Sequence, residues 1–130
     1  MAVISKTLST YGRNGSLYGI INGGWSGGGV DIQGITRIAA KTTGGEGSGV
    51  AHAAITWSSI SDGSVAVTGT PIITVPAGNT ITHIALVAFD NGSFQQYVNI
   101  VLVSIDSETF TYQGTITITA CTLTTSATLT

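Results

Sequence analysis

The segment 70–89 constrains the fold more than any other part of this sequence. It consists of a short apolar run, a Pro-Ala-Gly-Asn turn sequence at residues 76–79, and a longer apolar run that ends at Phe89. Proline fixes φ and lacks a backbone donor, whereas glycine and asparagine tolerate positive φ, so the chain must reverse between two extended segments. We therefore predict a β-hairpin or a tight β-corner at this turn.

The strand predicted after this turn is apolar on both faces. One face carries the odd-numbered residues from Ile81 to Phe89, and the other carries the even-numbered residues from Thr82 to Ala88. A strand of this kind lies inside a sandwich or beneath a neighbouring subunit.

The rest of the chain divides into an irregular front and a regular back. Residues 1–49 form an N-terminal arm with glycine-rich stretches at 22–29, predicted as a flexible loop, and at 42–49. Residues 30–40 predict either a strand with a bulge at Gly34 or a short helical turn. From Val50 onward, short strand-like runs follow one another at even spacing, with an Asp-Gly hairpin signal at residues 62–63. We therefore expect an all-β chain, with a β-sandwich or jelly-roll-like fold over residues 50–130 and one compact domain overall.

Low charge predicts a surface that associates with other proteins. Only 8% of the residues are charged, against about 25% in a typical soluble domain. Such a surface is poorly protected against association, so we expect the chain to pack against copies of itself or against a partner. A neutral secreted β-domain is the alternative. The net charge of −2 offers no basic field for nucleic acid. No apolar run is long enough to span a membrane, and residues 1–6 do not resemble a signal peptide.

The sequence contains no convincing catalytic or metal-binding constellation. His52 and His83 are the only imidazoles, and Cys121 is the only thiol, so a zinc site lacks ligands. Asp62 and Asp90 lie in predicted turns, where carboxylates accept backbone hydrogen bonds. We therefore expect no enzymatic activity and no cofactor.

Five residues are candidate partner contacts. Trp25 lies within the first glycine-rich stretch, where it would plug the sandwich end, contact a subunit or bind a carbohydrate. Arg13, Arg37 and Lys41 lie in the basic part of the chain, where they would dock on an acidic neighbour or simply favour solubility. Tyr97 lies in a predicted strand, where core packing competes with ligand stacking.

An ordered set of sequence blocks lies along the back of the chain. The blocks are Ile55-Thr56-Trp57, the run from Asp62 to Pro71, the run from Val75 to Leu86, Gly92-Ser93-Phe94, Glu108-Thr109-Phe110 and the run from Gly114 to Ile118. In this order they resemble small virion structural proteins of tailed bacteriophages. The resemblance covers about residues 50–123. Residues 1–49 match none of its blocks, and residues 94–107 are more polar and aromatic than the corresponding stretch of that family.

This resemblance implies a structural protein located in the virion and assembled in the host cytoplasm. The expected role is that of a capsid decoration, or cement, protein that contacts the major capsid protein or other virion proteins. A minor tail or fibre protein that binds a host receptor or glycan is the alternative. We expect a homo-oligomer, with a trimer favoured by the symmetry axes of a capsid, and no nucleic-acid or membrane partner.

Overall fold

A computed structural model describes the backbone of residues 6–7, 18–124 and 128–129, and the side chains of residues 18–23 and 27–124. These residues are all-β apart from a helical segment at residues 18–22. The strands are β1 (Lys6–Thr7), β2 (Gly23–Gly27), β3 (Val30–Lys41), β4 (Ala51–Ala54), β5 (Ser64–Ala66), β6 (Ile72–Val75), β7 (Asn79–Asp90), β8 (Gln96–Phe110), β9 (Gly114–Thr117), β10 (Thr122–Thr124) and β11 (Thr128–Leu129).

The larger sheet is built around β3 and β7. β7 pairs with one side of β3, whereas β2 and β4 pair end to end along the other side, and β8 pairs with the far side of β7. All of these pairings are antiparallel. Residues 23–41, which the sequence placed in the N-terminal region, thus supply two strands of the larger sheet.

The smaller sheet is one antiparallel ladder between segments 64–75 and 114–124. β5 pairs with β10, and β6 pairs with β9. Between these pairs, the Val67 amide donates to the Cys121 carbonyl and the Ile118 amide donates to the Pro71 carbonyl, each at 2.9 Å. On the side of segment 64–75 that faces away from segment 114–124, Trp57 forms an isolated antiparallel β-bridge with Val67. The result is a second layer that packs on the larger sheet.

The turn at residues 76–79 is a β-corner rather than a hairpin, because β6 belongs to the smaller sheet and β7 to the larger one. Gly78 has φ of 86°, which favours glycine. Its amide donates to the Phe110 carbonyl at 2.7 Å, and Asn79 Nδ2 donates to the Pro76 carbonyl at 3.0 Å. The long β7–β8 hairpin therefore continues into β6 and β9 as a folded ribbon, the arrangement expected of a jelly-roll-like sandwich.

Both aspartates lie in turns, as the sequence predicted, and the predicted hydrogen bonds from backbone amides to the carboxylate are seen at Asp90. Asp62 has φ of 50° within a tight hairpin whose flanking residues Ser61 and Ser64 exchange two backbone hydrogen bonds of 2.9 Å. Asp90 is buried, and its carboxylate accepts hydrogen bonds from the amides of Asp31 at 3.0 Å and Gly92 at 2.9 Å. Asp90 thereby joins the tip of the β2–β3 hairpin to the tip of the β7–β8 hairpin.

The prediction of a flexible loop at residues 22–29 is wrong, because β2 pairs with β3 and places Trp25 opposite Ile32. The prediction of a bulged strand at residues 30–40 is confirmed, with the register of β3 shifting between Ile32 and Arg37. A Cβ atom on Gly34 would lie 2.5 Å from the Ile21 carbonyl oxygen. Glycine at this position therefore lets β3 pass directly against the helical segment.

The core lies between the two sheets. Ile73 and Val75 from the smaller sheet pack there with Ile38 and Leu86 from the larger one. The predicted grouping of Ile81 with Ala85 and Val87 is wrong, since Ile81 lies in the inter-sheet core and the other two residues lie on the opposite face. The register between β7 and β8 shifts between Ile81 and His83. Such a β-bulge reverses which face of the sheet the following side chains occupy.

Candidate functional site

One side of the sandwich is left open. Among the described residues, β8 pairs only with β7, and β9 and β10 pair only with β6 and β5. β8 and the segment 114–124 are therefore the edge strands of their sheets, and they lie on the same side of the molecule. We call this region, with the crevice between the two edges, the open side.

The crevice on the open side is aliphatic and has a volume of about 290 Å³. Val103 lines it and is 51% exposed. Its backbone partner is Ile84, whose side chain packs against the inter-sheet core, so Val103 belongs to the inner face of the larger sheet. The core of the sandwich thus reaches solvent at this point. The other lining residues are Ile38, Ile84, Leu86, Val101 and the segment 120–123.

Cys121 provides the only thiol in this crevice. Burial raises the pKa of the Cys121 thiol, so the group remains protonated at neutral pH and behaves as a small apolar side chain. The crevice therefore offers apolar contact rather than acid–base or nucleophilic chemistry.

One end of the β8 edge is covered by the glycine-rich loop 42–49. The Gly47 amide donates to the Tyr97 carbonyl at 2.9 Å, and the Glu46 carboxylate accepts a hydrogen bond from the Asn99 amide. Lys41 Nζ donates to the Gly47 carbonyl and to Asn99 Oδ1, both at 2.8 Å. We call these five residues the β8 cap.

Lys41 is the anchor of this cap. The residue is only 3% exposed, and burial lowers the pKa of its amine, while the nearby Glu46 carboxylate partly offsets this effect. Lys41 therefore makes its polar contacts within the chain and is not a free surface cation.

Tyr97 packs on the outer face of the larger sheet. It contacts a small buried cluster formed by Ala39, Ala85 and Val87. Its ring lies 5.9 Å from that of His52 and 5.3 Å from that of Phe89, measured between centroids. Core packing, one of the two roles weighed for Tyr97, is the role that these contacts show.

Among the remaining sequence candidates, Arg37 is the one whose side chain lies in the described part of the chain. Arg37 is half-buried on β3, and its guanidinium has no hydrogen-bond or ion-pair partner among the described residues. The backbone of Trp25 lies in β2, but its side chain is outside the described part of the chain, and Arg13 lies entirely outside it. The residues that sequence reasoning missed are those of the β8 edge. Their signal is the run Ile-Val-Leu-Val-Ser-Ile at 100–105, which lacks any charge.

A second, shallow crevice of about 520 Å³ lies beside the helical segment. Tyr18, which is 64% exposed, lines it together with Trp57, Asn22 and Ser59. The indole nitrogen of Trp57 donates to the Ile35 carbonyl at 2.8 Å, which fixes the ring in place. This crevice combines aromatic and polar side chains, unlike the aliphatic crevice of the open side.

Within the described residues, no group of three or more His, Cys, Asp or Glu side chains is placed to hold a metal ion. No helix in the described part of the chain has the length and apolar character needed to cross a membrane. Comparisons with protein-family models, with curated proteins and with solved structures found no match.

Proposed function

We propose that this protein is a structural component of a tailed-phage virion, a capsid decoration protein that stabilises the head by protein–protein contacts. The observation that carries this proposal is the open side, where an inward-facing valine is half exposed between two unpaired sheet edges. Edges of this kind add strands from other chains. The assignment to a virion rests on the resemblance of residues 50–123.

The contact chemistry of the open side supports a binding role. Its crevice is aliphatic, and Leu102 and Val103 are 41% and 51% exposed on the adjacent edge strand. Burial of apolar surface is the main favourable term in protein association. A stable interface of this type buries about 1,000 Å² or more. The partners in this proposal are the major capsid protein and other copies of this chain.

Particle composition and imaging test the proposal. Quantitative mass spectrometry of purified particles is expected to find the protein in hundreds of copies per particle, as the lattice of a phage head requires. Electron microscopy of particles that lack the gene is expected to show heads that rupture more readily under heat or osmotic shock. Absence of the protein from purified particles would overturn the virion assignment.

A tail or fibre protein with a receptor-binding or glycan-binding role is the second candidate. The crevice at Tyr18 favours it, because an exposed aromatic ring beside the polar groups of Asn22 and Ser59 suits a sugar ring. A handful of copies per particle, together with loss of host adsorption in intact particles carrying Tyr18→Ala, would support this role instead of decoration.

A further inference from the structure

We propose that the edge of β8 pairs with the same edge of a second copy of this chain, antiparallel and about a twofold axis at Val103. This pairing gives a dimer in place of the trimer that the symmetry axes of a capsid favoured. This inference rests on the proposed function, since it names the partner of the open side. It concerns residues 100–105, which we call the β8 window. The three arguments for it are the boundaries of the window, the pattern of its side chains and the placement of charge around it.

The window is bounded at both ends by features that block strand addition. On one end, the β8 cap satisfies the outward-pointing Tyr97 carbonyl and Asn99 amide. On the other end, Asp106 and Glu108 place two carboxylates on the strand, and charges on an edge oppose pairing. The six residues between these ends have no charge and no strand partner on their outer side among the described residues. At about 3.3 Å per residue, the window offers an edge of roughly 20 Å.

The side chains of the window are self-complementary about Val103. When a twofold axis perpendicular to the sheet relates two antiparallel strands, the inner faces of both strands lie on the same side of the joined sheet. With the axis at a residue, odd-numbered residues therefore lie opposite odd-numbered residues, and even-numbered residues opposite even-numbered ones. Val101 and Ile105 pack against the inter-sheet core, and Val103 lies between them on the same face. With the axis at Val103, Val101 faces Ile105 of the second copy, and Val103 faces its own counterpart. The inner faces of the two copies then form one apolar row.

The charges around the window favour the antiparallel arrangement over a parallel one. In a parallel, in-register pair, Asp106 and Glu108 would lie beside their own counterparts, and like charges directly opposite each other destabilise a sheet. In the antiparallel pair, these carboxylates face the positions of Ile100 and Val98 instead. The Glu46 carboxylate of the cap is balanced by the Lys41 amine, with which it interacts electrostatically.

Pairing of this kind would also close the crevice. It joins the two larger sheets into one continuous sheet across the dimer and leaves the two smaller sheets on the same side of it. The segments 114–124 of both copies then flank the joint, and the exposed part of Val103 becomes buried. These flanking segments supply the apolar area that a strand pair over residues 101–105 lacks on its own.

The first experiment measures the association of the full-length chain by sedimentation equilibrium. The wild-type protein is expected to form a dimer, and Val103→Lys is expected to raise the dimer dissociation constant at least tenfold. Ile72→Lys is the matched control, because Ile72 is an equally exposed aliphatic residue (55%) on a strand of the other sheet. A monomer, a trimer, or equal weakening by both substitutions would overturn the proposal.

The second experiment tests the position of the axis. Opposite Cβ atoms in an antiparallel pair lie about 4.5–5.5 Å apart, close enough for a disulfide after a small adjustment. In a Cys121→Ser background, Val103→Cys is therefore expected to form a covalent dimer on mild oxidation, whereas Ile72→Cys is expected to remain monomeric on a denaturing gel. Equal cross-linking of the two variants, or none with Val103→Cys, would contradict the axis.

A third measurement needs no substitution. Amide hydrogen exchange of the wild-type chain is expected to slow at residues 100–105 as the protein concentration rises, while exchange in β6 stays constant. Exchange at residues 100–105 that does not depend on concentration would count against the pair. A dimer in solution that is missing from phage particles would refute the virion assignment alone. A monomer that is incorporated into particles would refute the twofold pair alone.

Discussion

The two faces of β7 are equally apolar but are covered in different ways. On the outer face, Ala85 and Val87 are buried beneath Tyr97, and the glycine-rich loop 42–49 passes over the same side, where Gly44 would bring a Cβ atom within 3.3 Å of Leu102. On the inner face, the smaller sheet covers Leu86 and Ala88 but leaves Val103 of the neighbouring strand half exposed. A strand with two apolar faces therefore does not by itself require a neighbouring subunit. On these two faces, the apolar surface that the described residues leave uncovered is the open side.

Replacing a valine on each side by aspartate should give the largest contrast. Val87→Asp places a carboxylate where the native side chain is 0% exposed, and an unpaired buried charge is expected to destabilise the fold by about 4 kcal/mol or more. Val103→Asp places the same group at a half-exposed position, where the expected loss is about 1 kcal/mol or less. Chemical denaturation of both variants, followed by circular dichroism, measures these losses.

At protein concentrations below the dissociation constant of the proposed dimer, equal losses of stability in the two aspartate variants would show that the open side is covered within the chain. The isosteric changes Val87→Thr and Val103→Thr provide a milder pair if Val87→Asp fails to fold. Their difference should have the same sign, because a hydroxyl is also costly to bury without a partner.

Removing the lysine of the β8 cap should give the second largest loss of stability. Lys41→Met removes the donor to Gly47 and Asn99, and the loss of hydrogen bonds to a charged group at a buried site is expected to cost about 1.5–3 kcal/mol. Amide exchange of residues 44–47 should also become faster. Thermal or urea unfolding, together with exchange mass spectrometry, checks both effects.

Arg37→Met is the matched control for Lys41→Met. Arg37 lies on the same strand, but its guanidinium has no partner among the described residues, so the expected change in stability is within about 0.5 kcal/mol. A larger loss from Arg37→Met than from Lys41→Met would show that the cap does not depend on its lysine.

The buried amine of Lys41 also predicts a dependence of stability on pH. Burial lowers the pKa of the Lys41 amine in the folded protein below its usual value of 10.5. At pH values between the lowered pKa of the folded protein and the usual pKa of the unfolded chain, the unfolded chain therefore binds more protons than the folded one. The stability of the wild type relative to Lys41→Met should therefore rise with pH across that window. Unfolding curves of both proteins from neutral to alkaline pH measure the slope. A relative stability that falls with pH would contradict the lowered pKa.

Much of the fold could be predicted from local sequence signals. The Asp62 turn and the corner at residues 76–79 follow from the conformations that aspartate, glycine and proline allow. Gly34 marked the bulged strand, where the structure shows that glycine is needed for the close approach of the Ile21 carbonyl. The face on which Ile81 lies could not be predicted, because the bulge depends on how β8 aligns with β7. The pattern of apolar residues in β7 alone does not show where such a bulge occurs. The pairing of β2 was missed for a related reason, since glycine-rich strands gain stability from a partner rather than from propensity.

Less of the candidate site could be predicted. Lys41 was expected to dock on an acidic neighbour or to favour solubility, because it lies in the basic part of the chain. Its burial could not be predicted, because one acceptor of its hydrogen bonds, Asn99, is distant in the sequence and the other, Gly47, lies in an irregular loop. The uncharged run 100–105 is visible in the sequence, but whether it lies at the edge or in the centre of the sheet depends on topology. Composition predicted a surface that associates with other proteins, and the structure shows that Leu102 and Val103 are exposed apolar side chains on the β8 edge.

The smallest expected effect, at Cys121, distinguishes a crevice that stays open from one that a second copy closes. Cys121 lines this crevice with Val103, and burial raises its pKa, so alkylation at neutral pH should be slower than for an exposed thiol. If a second copy covers the crevice, the alkylation rate of the wild type should fall several-fold as protein concentration rises above the dissociation constant, while the rate in Val103→Lys should stay constant. Iodoacetamide labelling followed by mass spectrometry measures both rates, with Ile72→Lys as the control that should behave like the wild type. A rate that is independent of concentration in the wild type would mean that solvent, rather than a second copy, covers the open side.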